Sequence, residues 1–172
     1  MHAITDQELI DRAEIGDLLV RYCQAQDQDE WSLYEGLFTA DATIHFPGMP
    51  MESRSAAEFG RFLQAFNKTR VSGQHLVGNT LYRFTGNHAD VLSEALYITL
   101  HPTETPGTLR RVRGNALYSD HLVRTPEGWR IARRDIAQKN VEIDDAAYDP
   151  ALVVGFKTTS ATRWFDAPGR QS

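Results

Sequence analysis

The spacing of apolar residues changes at Gly73, and this change constrains the fold more than any other feature of the sequence. Before Gly73, apolar residues recur at intervals of three and four, which predicts helices. After it they alternate with polar residues, which predicts β-strands. Gly86-Asn87 and "TPEG" at residues 125–128 are turn sequences, and alternating segments flank each of them. The chain should therefore form two long β-hairpins after a helical first part.

Strict alternation also predicts which side chains of the first hairpin strand share a face, because successive residues of a strand point to opposite sides. One face should carry Leu76, Thr80, Tyr82 and Phe84, and the opposite face should carry His75, Val77, Asn79 and Leu81.

Three helices are predicted before the strands. Thr5 with Glu8, and Ser55 with Glu58, form capping boxes that satisfy free N–H groups at two helix starts. Asp29 is expected to cap a short helix between them. The residues that should face the core are Leu9, Ile15, Leu18, Leu19, Tyr22 and Cys23 in the first helix, Trp31, Tyr34 and Phe38 in the second, and Phe59, Phe62, Leu63 and Phe66 in the third. Helices followed by antiparallel strands predict an α+β fold.

A single domain spanning residues 1–172 is expected, because no linker, repeat or low-complexity stretch divides the chain. Its core should occupy about residues 8–140. The C-terminal segment, residues 141–172, contains Asp149-Pro150, a cap followed by proline at the first helical position. This segment is too apolar for a free tail, and we expect it to cover the mouth of a pocket.

Net charge and cysteine content limit the partners and the compartment. A net charge of −5 argues against nucleic acid or an anionic membrane surface as the main partner. The single cysteine, Cys23, cannot form an internal disulfide, which favours a reducing compartment. The N-terminus lacks a basic segment followed by an apolar run, and no stretch approaches the roughly 20 apolar residues of a membrane span. These features predict a cytoplasmic protein.

Three segments carry a resemblance to a known family: "IGDLLVRYCQAQDQDEWSLYEGLFTADATIHFPG", "QHLVGN" and "ALYSDHLVRTPEGWRIARRD". In this order and spacing they resemble the SnoaL-like branch of the NTF2-like fold, over about residues 10–137. The resemblance implies an NTF2-like cone, in which three N-terminal helices pack in a strongly curved, mostly antiparallel sheet that encloses a pocket. Because this fold hosts many unrelated chemistries, the reaction must be inferred from the site residues.

The apolar stripe of the first helix ends on an acid, since steps of four lead from Ile15 through Leu19 and Cys23 to Asp27. Taken singly, Asp27 could cap the next helix, and His75 could be structural or exposed. In the resemblance, however, the two match the aspartate–histidine pair of scytalone dehydratase and lindane dehydrochlorinase. This implies that His75 removes a proton from substrate, while Asp27 fixes the imidazole tautomer and stabilises the imidazolium. The stripe would then end on a carboxylate because it faces a cavity.

Tyr22 and Asp120 match, in the resemblance, the tyrosine and protonated aspartic acid that hold the oxyanion in ketosteroid isomerase, a more distant relative. They would hydrogen-bond a developing enolate, because an apolar pocket can keep a carboxylic acid protonated. The isomerase base falls at about Phe46, which cannot take a proton, so that reaction with its usual base is not expected. Two alternatives stay open: Tyr22 as a core residue, and Asp120 as the cross-strand partner of an arginine.

The other substrate-binding candidates are aromatic or basic: Trp31, Phe46, Phe62, Tyr118 and Arg134, with Arg113 as a second arginine in reach. The aromatic residues should shape an apolar pocket, and most arginines should lie on a solvated sheet face. We expect neither a cofactor nor a metal. The histidines show no paired ligand spacing, one cysteine cannot complete a zinc site, and no nucleotide-binding glycine motif is present.

These features predict a cofactor-independent enzyme, a lyase of the dehydratase type or an isomerase. Its substrate would be an apolar, cyclic, carbonyl-bearing small molecule related to polyketides, steroids or terpenoids, and the protein should be a homodimer or homotrimer. Two other classes remain. One is the small non-catalytic subunit of a ring-hydroxylating dioxygenase, which has this fold but needs no Asp27–His75 pair and would be isolated with an iron–sulfur partner. The other is a module that binds a hydrophobic ligand without turnover.

Overall fold

The predicted order of helices and strands is confirmed in a computed structural model, which describes residues 4–49 and 53–149. The helices are α1 (Asp6–Asp27), α2 (Trp31–Glu35) and α3 (Ala56–Asn67). The strands are β1 (Phe38–His45), β2 (Ser53–Ser55), β3 (Ser72–Thr85), β4 (His88–Pro102), β5 (Thr108–Thr125) and β6 (Gly128–Ala147).

The predicted C-terminal segment is only partly described. Residues 141–147 form the end of β6. The predicted helix after Asp149 and the cover over the pocket mouth lie outside the described residues.

All described strands belong to one curved, open, six-stranded sheet in the order β2-β1-β6-β5-β4-β3. Neighbouring strands are antiparallel, except that β1 and β6 run parallel. The two predicted hairpins are β3–β4 and β5–β6. Helix α1 packs against β3 and β6, and α3 packs against β1. This arrangement is the α+β cone predicted from the sequence.

Both predicted capping boxes are present. The Thr5 hydroxyl accepts a hydrogen bond from the Glu8 N–H at 3.2 Å, and the Glu8 carboxylate accepts one from the Thr5 N–H at 2.9 Å. Ser55 and Glu58 form the same reciprocal pair at the start of α3. Two N–H groups that no helical carbonyl could satisfy are thus paired at each start.

The predicted cap of α2 is wrong. Glu30 occupies the cap position, and no side-chain hydrogen bond caps this helix. Asp29 instead has a φ of 60°, and its carboxylate accepts a hydrogen bond from the Arg70 guanidinium at 3.1 Å. The carboxylate is therefore drawn to a buried cation from another part of the chain.

Two core predictions are also wrong, one in α1 and one in α3, where Phe66 is 57% exposed. Leu9 is 55% exposed, whereas Asp11 is buried. At about 100° per residue, these two positions lie on opposite sides of the helix, so the inward stripe passes through Asp11. Phe38 is buried as predicted, but it belongs to β1 and not to the second helix.

A β-bulge in β3 overturns the predicted division of its faces. Gly78 pairs with Glu94 but Leu81 pairs with Leu92, so two residues of β3 oppose one residue of β4. Asn79 has a φ of 50° in this bulge. The extra residue turns every later side chain of β3 to the opposite face of the sheet from the one predicted. Val77 and Tyr82, predicted on opposite faces, therefore both pack against the core.

Asp11 ties α1 to the second hairpin. Its carboxylate accepts hydrogen bonds from the Arg124 guanidinium, from the Trp129 indole at 3.4 Å and from the Gln7 amide at 2.9 Å. Arg124 also lies over the Trp129 ring, 4.6 Å from its centroid. Burial alone would raise the pKa of Asp11, but the hydrogen bonds outweigh it and hold the pKa below its usual value.

Asp11→Ala should lower the free energy of unfolding by about 1.5–3 kcal/mol, because the indole and the guanidinium lose an ionised acceptor. The group's pKa is lower in the folded state, so its contribution is complete above the unfolded pKa near 3.8. It is lost as pH falls through the folded value. Urea unfolding at several pH values between about 2 and 7 measures both effects.

Asp17→Ala is the matched control, since Asp17 pairs with Arg21 on the same helix but its side chain is 58% exposed. Its stability should stay near the wild-type value. Equal losses for the two variants would contradict a specific role for the buried carboxylate.

Candidate active site

The last residue of α1 presents a buried carboxylate. Ile15, Leu19 and Cys23 are buried along the predicted stripe, and Asp27 follows one turn later with its side chain only 4% exposed. A carboxylate in this position must be matched by hydrogen-bond donors, because an unpaired buried charge is very costly.

His75 supplies two of those donors. Its backbone N–H donates to Oδ2 of Asp27 at 2.6 Å, and its ring Nδ1 lies 2.5 Å from Oδ1. Both carboxylate oxygens are therefore engaged by a single residue at the start of β3. This pairing places the proton of a neutral imidazole on Nδ1, so that Nε2 carries the free lone pair. The His75 side chain is 12% exposed.

Tyr97 lies against the histidine, and the sequence analysis missed it. Its ring stacks on that of His75 with centroids 5.7 Å apart and planes inclined by 27°. Tyr97 is the direct partner of His75 across the β3–β4 hairpin. Counting back from the Gly86-Asn87 turn without a bulge would instead place Ile98 opposite His75. Only the bulge brings the tyrosine to this position.

Four of the other predicted site residues form a second buried cluster: Tyr22, Tyr118, Asp120 and Arg134. The Arg134 guanidinium lies 4.0 Å from the centroid of the Tyr22 ring and 4.5 Å from that of Tyr118. It donates to both oxygens of Asp120 at 2.6 Å. Asp120 and Arg134 are direct partners on β5 and β6, so the cross-strand alternative is the arrangement observed.

This pairing argues against Asp120 as a protonated hydrogen-bond donor. Both of its oxygens accept hydrogen bonds from a guanidinium, a geometry that suits the anion. Burial would lower the pKa of Arg134, but the adjacent Asp120 charge outweighs burial and holds that pKa well above its usual value. Burial raises the pKa of Tyr22, with Arg134 opposing it, so the Tyr22 hydroxyl keeps its proton near neutral pH.

The aromatic candidates lie around α2 and α3. The Trp31 ring is 5.9 Å from that of Tyr34, and the Phe46 ring is 6.4 Å from that of Phe59. Phe62 lies 6.3 Å from Phe59 in turn. Trp31, Phe46 and Phe62 are half-buried, which leaves part of each ring available to a ligand.

Other ionisable groups have simpler roles. Burial raises the pKa of the Cys23 thiol to about 12, so the residue is a buried, unreactive thiol. A second Asp–His pair, Asp90 with His121 at 3.0 Å, is half-exposed. It lies on the sheet face turned away from α1, which is called the outer face below.

Within residues 4–49 and 53–149, no group of three or more His, Cys, Asp or Glu side chains could hold a metal ion. None of the described helices is both long and apolar enough to cross a membrane.

Two surface depressions, with volumes of about 500 and 440 Å³, are lined by described residues. Neither is lined by Asp27 or His75. A pocket lined by Tyr22, Asp27, Phe46, Phe62, His75 and Asp120 therefore stays a prediction.

Asp120→Asn should lower the free energy of unfolding by about 3–5 kcal/mol, because it leaves the fully buried Arg134 guanidinium without a counter-ion. Denaturant unfolding measures the loss. A protonated acid at this position would tolerate the isosteric amide, so a small change would restore the donor hypothesis. Glu142→Gln is the control, since Glu142 pairs with Arg113 at the exposed surface and should matter little.

Comparison with known proteins identifies relatives over most of the chain. Residues 7–135 match the family described as the SnoaL-like domain. An uncharacterized protein of Mycobacterium tuberculosis is 32% identical over 128 residues, covering 74% of this chain and 84% of that protein. A candidate scytalone dehydratase from Novosphingobium aromaticivorans has a TM-score of 0.68 at 18% identity, with 84% and 91% of the two chains covered. A type 2 hexachlorocyclohexane dehydrochlorinase has a TM-score of 0.70 at 14% identity, with 84% and 97% covered. The two structural likenesses show a shared fold.

Proposed function

The chain belongs to the SnoaL-like domain family, and we propose that it is a cofactor-independent lyase of the dehydratase type. Its substrate would be an apolar cyclic ketone that carries a hydroxyl group on the carbon β to the carbonyl, as in polyketide-, steroid- or terpenoid-like compounds. Asp27 and His75 would be the catalytic pair. The dehydratase and dehydrochlorinase names of two fold relatives agree with this reaction class, since both reactions are eliminations.

The observation that carries the proposal is the contact between the Asp27 carboxylate and His75 Nδ1 at 2.5 Å. A buried carboxylate on Nδ1 directs the free lone pair to Nε2 and stabilises the imidazolium that forms when Nε2 takes a proton. The contact is also shielded, because both side chains are largely buried. Electrostatic stabilisation is stronger where water is excluded.

The proposed reaction uses this pair as follows. His75 Nε2 removes the proton on the carbon α to the carbonyl, and the electron pair of that C–H bond moves onto the carbonyl oxygen to give an enolate. When the enolate collapses, the carbon–oxygen bond to the β-hydroxyl group breaks. The proton held on His75 passes to the departing hydroxide. The products are a conjugated enone and water, and the imidazole returns to its neutral form.

Tyr22 would hydrogen-bond the enolate through its hydroxyl, which stays protonated because burial raises its pKa. Asp120 and Tyr118 would act indirectly, by holding Arg134 and the Tyr22 ring in place. Arg134 keeps one route to a substrate, since its Nη1 atom is buried without a hydrogen-bond partner among the described residues. Trp31, Phe46 and Phe62 would supply apolar contacts to the ring system.

A panel of cyclic β-hydroxy ketones tests the proposal. Enone formation is followed by ultraviolet absorbance, and exchange of the α-proton in deuterated water is followed by NMR. His75→Ala should lower the rate by about 10²–10⁴-fold, because it removes the base. Asp27→Asn should also lower it strongly, since an amide stabilises imidazolium less well than an anion.

The outer-face pair provides the matched control. His121→Ala and Asp90→Asn change an Asp–His pair of similar geometry that is half-exposed, and both should retain wild-type rates. Wild-type activity in His75→Ala would contradict the proposed base. Binding of the ketones with neither exchange nor enone formation would favour the ligand-binding module, and co-purification with an iron–sulfur protein would favour the dioxygenase subunit.

We also propose that the protein is a homodimer or homotrimer that associates through the outer sheet face. Leu76 and Leu81 on β3 are 58% and 66% exposed, and their cross-strand partners Leu96 and Leu92 extend the same apolar stripe. A second copy presents an identical stripe, so the surface can be complementary to itself.

Leu96→Asp should reduce the particle mass to that of a monomer in sedimentation equilibrium, because a charge in the stripe opposes its burial. Val20→Asp is the control, since Val20 is similarly exposed but lies on α1. A monomeric wild-type protein, or equal effects of the two variants, would contradict this interface.

A further inference from the structure

Arg70 contacts the backbone at Asp27, whereas His75 contacts the Asp27 side chain. Arg70 lies in the connection between α3 and β3, and its side chain is only 2% exposed. Its Nη2 atom donates to the carbonyl oxygen of Gln26 at 2.5 Å and is 3.3 Å from that of Asp27. The same nitrogen lies 3.1 Å from the carboxylate of Asp29. One buried guanidinium thus holds the backbone at the end of α1.

The end of α1 needs such a cation. The last carbonyl groups of a helix have no partner within it and carry partial negative charge. No basic residue lies in the last turn of α1, so the helix does not provide its own. Arg70 supplies the charge and the hydrogen bonds from a distant part of the chain.

Arg70 and His75 are five residues apart and hold two different parts of Asp27. Arg70 contacts the main-chain carbonyl, whereas His75 binds both oxygens of the side chain. Fixing the backbone fixes the direction of the Cα–Cβ bond, and this sets where the carboxylate can lie. A displacement of about 1 Å in a catalytic group can cost on the order of 10²-fold in rate.

Gly73 leaves the space that this arrangement requires. A Cβ atom at position 73 would lie 2.7 Å from Nη1 of Arg70 and 3.0 Å from its Cζ. Any larger residue would therefore push the guanidinium away. Because the contacted atoms belong to the far end of a flexible side chain, the backbone itself would not have to move.

We propose that Arg70 is a positioning residue for the Asp27–His75 pair, which it serves by anchoring the end of α1. The inference rests on the proposed function of His75 as the base. Arg70 does not act on the substrate. It holds Asp27 in the position where Oδ1 contacts Nδ1 of His75. Gly73 contributes to this arrangement because its missing side chain leaves room for the Arg70 guanidinium.

Three variants test the role of Arg70. Arg70→Met removes the donors but keeps an unbranched chain, Arg70→Lys keeps the charge, and Gly73→Ala keeps Arg70 but displaces its head group. Two readouts report on position: the proton NMR signal of His75 Nδ1–H, and kcat and KM for the best ketone of the panel. Arg70→Met and Gly73→Ala should weaken or remove the Nδ1–H signal and lower kcat about 10–10²-fold, with KM changed less than about twofold. Arg70→Lys should retain part of the Nδ1–H signal and part of the wild-type kcat.

Gly36→Ala is the control, since Gly36 follows α2 outside the β3 bulge, and an added Cβ would lie 3.5 Å from the Leu33 carbonyl oxygen, an ordinary van der Waals distance. It should keep the wild-type signal and rate. A folded Arg70→Met or Gly73→Ala protein with an unchanged Nδ1–H signal would overturn the proposal. If Arg70→Met fails to fold, Gly73→Ala decides, because it keeps both the arginine and its charge.

The two proposals can fail separately. The Nδ1–H signal reports on the Asp27–His75 hydrogen bond whether or not any ketone reacts, so it tests positioning alone. Full activity in His75→Ala would instead refute the base and leave the structural effect of Arg70 measurable.

Discussion

A carboxylate buried at the end of a helix cannot stay unpaired, and this constraint organises the structure around Asp27. The free-energy cost of an unpaired buried charge is several kcal/mol, so the fold must bring donors to it. His75 binds its two oxygens, and Arg70 binds the adjacent backbone. Because both donors lie within residues 70–75, where the chain enters β3, pairing the carboxylate also fixes where the first hairpin meets the first helix. The bulge and the Tyr97 stack then complete the surroundings of His75.

Burial separates the three Asp–His contacts of the described residues. Asp27–His75 is largely buried, whereas the side chains of Asp90–His121 and His45–Asp135 are between one-third and two-thirds exposed. At the exposed sites water competes for the contact and screens the charge. The same residue types therefore differ in what they can do chemically. The Asp120–Arg134 pair shows a third outcome, in which both oxygens of a buried carboxylate accept hydrogen bonds from a buried cation.

The sequence predicted features that depend on residues close together in the chain. The two capping boxes and the two hairpin turns are such features, because each involves about four successive residues. Errors arose where a distant group intervened. Asp29 does not cap α2, because Arg70, 41 residues away, binds its carboxylate. Leu9 does not face the core, because Arg124 and Trp129 draw Asp11 inward instead.

By itself, then, the sequence determined the order of helices and strands, the helix starts and the placement of an acid at the end of a buried stripe. Those follow from periodicity and local hydrogen bonding, which the neighbouring residues settle. Only the tertiary structure decided which groups meet that acid and which face each strand residue takes. The bulge at Gly78 and Asn79 inserts one residue, and every later side chain of β3 changes sides without any change in composition. Likewise, Asp120 was equally compatible with a free acid and an ion pair until β6 placed Arg134 beside it. Pairing between distant strands is set by the packing of the whole sheet, and that information is not contained in any single stretch of the chain.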